Sequence, residues 1–88
     1  MKIHFKSSGG YPLSDCIVGK EVTAYKPSDP DVVFTIIDLY KIRPEDAERQ
    51  NLVFVKGSDL KSLGAFPEAE DENVYSFMIP YEAVIVEP

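Results

Sequence analysis

Several short runs of this chain alternate polar and apolar residues, the two-residue period of strands whose successive side chains face opposite ways. Residues 2–6 place Ile3 and Phe5 on one face and Lys2, His4 and Lys6 on the other. Residues 21–26 put Val22 and Ala24 opposite Thr23 and Tyr25. Residues 32–40 are rich in β-branched and aromatic side chains, which predicts a strand long enough to bend around a small barrel. Residues 52–56, 74–79 and 82–87 supply three more strands; in the middle one, Val74, Ser76 and Met78 oppose Tyr75, Phe77 and Ile79.

The breaks between these runs have their own chemistry. Pro27, Ser28, Asp29, Pro30 and Asp31 combine fixed proline φ with aspartate side chains that bond to nearby backbone, and predict a hairpin loop. Residues 43–50 predict a turn or two of polar helix, with Pro44 at the first helical position and Glu45, Asp46 and Glu48 near its positive end. A second helical turn is predicted over residues 57–64. There Ser58 is placed to cap free N–H groups, Leu60 and Leu63 share a face, and Gly64 can end the turn in the left-handed conformation. Residues 66–73 form an acidic loop, and Pro80 stops the fifth strand. The pattern predicts one domain over residues 1–88. It is mainly β, a small Src-homology-3-like (SH3-like) barrel of five or six short strands with one or two short helical turns. Phe5, Phe34, Phe54 and Phe77 are its expected aromatic core, while Tyr11, Tyr25, Tyr40, Tyr75 and Tyr81 each show a hydroxyl edge.

With 88 residues there is no room for a separate catalytic domain. Cys16 is the single cysteine, so no internal disulfide can form, and no apolar stretch has the length of a signal peptide or a membrane span. A soluble cytoplasmic protein is expected. The net charge of −6 argues against direct binding to nucleic acid. That charge is unevenly placed: six basic and five acidic residues precede Glu45, whereas three basic and ten acidic residues follow from Glu45 onward.

Catalytic and metal chemistry find little to work with. His4 is the one histidine, and a His4–Cys16 pair lacks a third group to orient it. Zinc would need more Cys and His than the chain holds. Asp29 with Asp31, and Glu70 with Asp71 and Glu72, lack the spacing and central glycine of a calcium loop. Ser7, Ser8, Gly9 and Gly10 lack the Gly-Lys-Ser/Thr of a phosphate loop and read as a turn. No enzyme activity, metal or cofactor is expected.

Two resemblances add a setting. Tyr75, Ser76, Phe77, Met78, Ile79, Pro80, Tyr81, Glu82, Ala83, Val84 and Ile85 resemble the close of an SH3-like barrel. The ligand face of the peptide-binding family is not matched, since the chain has no tryptophan and no early alanine-leucine-tyrosine-aspartate-tyrosine segment. Across the whole length, Ser8-Gly9-Gly10-Tyr11, Val18-Gly19-Lys20 with Val22 and Ala24, Gly57-Ser58-Asp59-Leu60, Gly64-Ala65, and Glu82 with Val84 resemble small uncharacterised proteins of tailed bacteriophages. That resemblance implies a phage-encoded protein that acts in the bacterial cytoplasm by binding and inhibiting a host factor or defence system.

A binding surface is what remains. Glu68, Glu70, Asp71 and Glu72 place four carboxylates within five residues, and with Tyr11, Phe66 and Tyr75 they form the expected site. Charges steer the encounter and aromatics anchor it. The expected partner is a host protein, one that itself binds nucleic acid if the acidic run mimics a phosphate backbone. Two alternatives stand beside this: a pocket for a nucleotide signal near Lys20, Lys26 or Arg43, and an assembly module that pairs through an open barrel edge.

Overall fold

The computed structural model describes residues 1–7, 17–64 and 69–88. Among them are five strands and three short helices: β1 (Lys2–Phe5), β2 (Glu21–Thr23), α1 (Val33–Tyr40), α2 (Pro44–Arg49), β3 (Leu52–Lys56), α3 (Gly57–Ser62), β4 (Val74–Met78) and β5 (Ala83–Glu87). The strands form two antiparallel sheets rather than a closed barrel, one in the order β2-β1-β5 and one pairing β3 with β4. A single bridge between Tyr25 and Phe54 links them. Its two backbone hydrogen bonds, of 2.8 and 2.9 Å, carry the chain from the edge of the first sheet to the edge of the second.

Closure fails because the segment expected to wrap the barrel is helical. Residues 32–40 form α1 after a turn in which Asp29 Oδ1 accepts the Asp31 N–H at 2.9 Å and the Asp29 carbonyl accepts from Val32 and Val33. The proline and aspartate cluster at 27–31 therefore opens a helix instead of closing a hairpin. Buried Val32 and Ile36 stand four residues apart, the helical repeat. Tyr40, four further on, sets its ring edge-on to Phe54 at 5.5 Å and donates its hydroxyl to the Val74 carbonyl at 2.8 Å. Phe34, expected in the core, is 75% exposed. Packing of this four-residue repeat against the sheet outweighs the strand preference of the β-branched residues.

Helix α1 ends at Lys41, whose φ of 54° is left-handed and whose N–H reaches the Ile37 carbonyl. That conformation costs a residue with a Cβ about 1–2 kcal/mol, and glycine adopts it freely. Lys41→Gly is expected to stabilise the fold by about 0.5–1 kcal/mol, offset in part by the freer unfolded chain. A thermal melt would show the gain as a rise of a few degrees.

The two helices foreseen by capping signals form where expected. Pro44 opens α2 with Glu45 and Asp46 in its first turn and Arg49 in its last. Although polar overall, α2 buries Ala47 completely. Lys56, not Ser58, stands at the N-cap of α3, and the Ser58 carbonyl instead accepts the Ser62 hydroxyl. Leu60 is buried, Leu63 packs beside the same core, and Gly64 takes a φ of 73°.

Two apolar layers result. Between the sheets lie Ile3, Phe5, Ile17, Val22, Ala24, Val53, Val55, Leu60, Phe77 and Ala83, with Phe5 and Phe77 edge to face at 4.8 Å. On the other side of β3 and β4, Val32, Ile36, Ala47, Phe54 and Val74 join the helices to the sheet. The outer face of β1 is polar as expected, with Lys2 near Glu87 at 3.8 Å and His4 near Glu21 at 3.5 Å, each across its registered neighbour.

Candidate functional site

Four of the seven expected site residues fall within the described structure. Tyr11, Phe66 and Glu68 lie outside it, as does Cys16. Glu70, Asp71 and Glu72 are exposed and sit in a turn closed by the Asn73 N–H on the Glu70 carbonyl at 3.0 Å. The turn is engaged with its own fold. Asn73 Nδ2 donates to the Glu70 carboxylate at 2.9 Å, Lys61 Nζ lies 3.0 Å from Asp71, and the Glu70 N–H donates to the Tyr75 hydroxyl at 3.2 Å. Tyr75 is half-buried against the inter-sheet core. Two of the three carboxylates thus already have partners, which weakens the turn as a free acidic surface.

Lys20, Lys26 and Arg43, any one of which was a candidate for a nucleotide pocket, sit in different surroundings. Lys20 Nζ donates to the Leu63 carbonyl at 2.7 Å, at the end of α3. Arg43 Nε lies 3.3 Å from Asp46 and 3.9 Å from Glu45, at the start of α2. Of the three, Lys26 borders the cavity described next.

That cavity is a groove where the sheets part. One hollow, about 490 Å³, is bordered by Ala24, Tyr25, Ser28, Asp29 and Pro30. A second, about 380 Å³, is bordered by Pro27, Glu48, Asn51, Leu52, Val53 and Ile79. Both touch Met1, Lys26 and Ile85. Lys56 Nζ sits 4.9 Å over the Tyr25 ring and braces that wall. Sequence reading missed the groove because its residues come from both ends of the chain and two internal segments.

The second feature missed is the outer face of α1. Phe34 and Ile37, three apart on the helix and therefore neighbours, are 75% and 42% exposed. Asp38 and Lys41 border this ridge, both exposed.

Among the described residues, no three of His, Cys, Asp and Glu gather as a metal site, and no helix is long and apolar enough to cross a membrane. No protein-family model, curated protein or solved structure matches the chain.

Proposed function

We propose that this chain is a non-enzymatic binding protein that works by covering a surface of another protein, with the outer face of α1 as its anchor. The observation that carries the reading is Phe34, a large aromatic 75% exposed on α1, beside Ile37. Helices that are apolar on more than one face are normally buried all round, and α1 is covered on one side only. An aromatic anchor with an aliphatic neighbour and a charged border is the composition of an interface centre. The setting is the one the sequence resemblance implies: a small phage protein that occupies a bacterial host factor. The acidic turn at Glu70, Asp71 and Glu72 plays a steering part at most, because its own fold already engages two of its carboxylates.

Affinity capture from bacterial lysate tests this with two variants. Phe34→Asp with Ile37→Asp is expected to abolish capture of a specific host protein. The side chains are exposed, so the cost in stability should stay within roughly 0.5 kcal/mol per site, checked by thermal melting. Glu70→Lys, Asp71→Lys and Glu72→Lys together are expected to slow capture without abolishing it. Retention of the same protein by the α1 variant, or recovery of nothing by the wild type, would refute the proposal.

A further inference from the structure

We infer that Tyr40 and Glu82 hold the outer edge of β4 closed against a second copy of this chain, which would otherwise add to it as a further strand. A sheet edge is a row of N–H and C=O groups open to another strand, and proteins that stay single shield it. Among the other outer strands, β2 has only three residues and its chain runs on into the bridge with β3, while the β1 and β5 register is broken between Lys2 and Ile3. Strand β4 has neither defence. Its five residues, Val74, Tyr75, Ser76, Phe77 and Met78, include no charge and no proline and are rich in strand formers.

The ladder decides which groups face that edge. The Gly57 N–H donates to the Asn73 carbonyl at 2.9 Å, and the Ile79 N–H donates to the Asn51 carbonyl at 2.8 Å. Backbone groups of successive residues point to opposite sides of a strand, so Tyr75 and Phe77 turn theirs to β3 while Val74, Ser76 and Met78 turn theirs outward. At one end of the outer edge, the Tyr40 hydroxyl donates to the Val74 carbonyl at 2.8 Å, reaching it from the last turn of α1. At the other end, the Glu82 carboxylate accepts the Met78 N–H at 2.7 Å and the Glu82 N–H donates to the Met78 carbonyl at 2.8 Å.

Those are the groups that a copy of β4 would use. An antiparallel copy related by a two-fold axis through Ser76 sets Val74 opposite Met78 of the copy, Ser76 opposite its own counterpart, and Met78 opposite Val74 of the copy. Every outward residue of β4 then meets an outward residue, the arrangement in which two strands exchange both hydrogen bonds, and no like charges oppose each other. The axis stands normal to the sheet, so the two copies keep their apolar layers on the same sides. Tyr40 and Glu82 occupy the two ends of this register, and Ser76 at its centre has a partner as well. The ends are closed by two side chains that single substitutions can remove.

Sedimentation velocity of the intact chain over a wide range of concentration tests this. Tyr40→Phe keeps the ring beside Phe54 and removes the hydroxyl, and Glu82→Ala removes the carboxylate; together they are expected to tighten self-association at least tenfold over the wild type. Glu82→Gln keeps an acceptor for the Met78 N–H and should match the wild type. Hydrogen exchange locates the contact: in the double variant the Val74, Ser76 and Met78 amides should gain protection as concentration rises. Thermal melting checks the fold, and if the double variant melts early, Glu82→Ala alone, a change at an exposed residue, carries the test. Adding Phe34→Asp and Ile37→Asp should leave the association intact, so this proposal and the α1 surface stand or fall separately. Unchanged association in the folded variant, equal tightening by Glu82→Gln, or protection that rises away from β4 would each overturn the assignment.

Discussion

Gly57→Ala is expected to destabilise the fold by roughly 1–3 kcal/mol, toward the upper end of what overpacking costs. A Cβ at this position would stand 1.9 Å from the Glu70 carbonyl oxygen, 2.8 Å from its carbon and 3.2 Å from the Tyr75 ring. Two of those atoms are backbone, so no rotamer change relieves the contact. The close approach has a reason. The Gly57 N–H donates to the Asn73 carbonyl at 2.9 Å, which draws the first residue of α3 onto the acidic turn. An added methyl must push that turn outward and stretch this bond. In a domain of this size the loss should lower the melting temperature by about 10 °C or more. A fall below about 3 °C would show that the turn gives way easily and is not held by Gly57.

Phe54→Ala should cost more, about 3–5 kcal/mol, as truncation of a buried phenylalanine does when its surroundings cannot collapse into the space. Phe54 is fully buried, meets Tyr40 at 5.5 Å, and lies among Val32, Ile36, Ala47 and Val74 where the helices join the sheet. Small domains have a total stability of only about 5–15 kcal/mol, so this one ring accounts for a large fraction. Urea unfolding followed by circular dichroism is the measurement, with a lower midpoint at an unchanged slope as the expected form. A loss under about 1 kcal/mol would mean that α1 and α2 do not depend on this ring.

These two positions differ in how far the sequence reveals them. Phe54 reads as core from its place in a short apolar run, and the structure agrees. Gly57 reads only as punctuation, because its constraint comes from Glu70, thirteen positions on and in a different element. The strands are legible through alternation, and α2 and α3 through Pro44 and Gly64, since those signals are local. Helix α1 is not, because Val, Ile and Thr favour strands by themselves and the helix exists through its packing on Phe54. A signal was present in the four-residue spacing of Val32, Ile36 and Tyr40, and in Asp38, which would have shared a strand face with Phe34 and Ile36. The acidic run is legible as exposed, but the bonds from Lys61 and Asn73 that partly neutralise it are not. The groove depends on four distant segments meeting, which no local pattern encodes.

Strand β3 has a further bearing on how the molecule moves. Val53 and Val55 face the inter-sheet core while Phe54 faces the helices, so this strand is the common wall of both layers. If α1 and α2 were to lift away, one side of the wall would be wetted; if the three-stranded sheet were to part from it, the other side would be. Each opening removes support from the layer that stays behind. Slow, partial excursions that free one layer and spare the other are therefore expected to be disfavoured, with both layers melting as one cooperative unit.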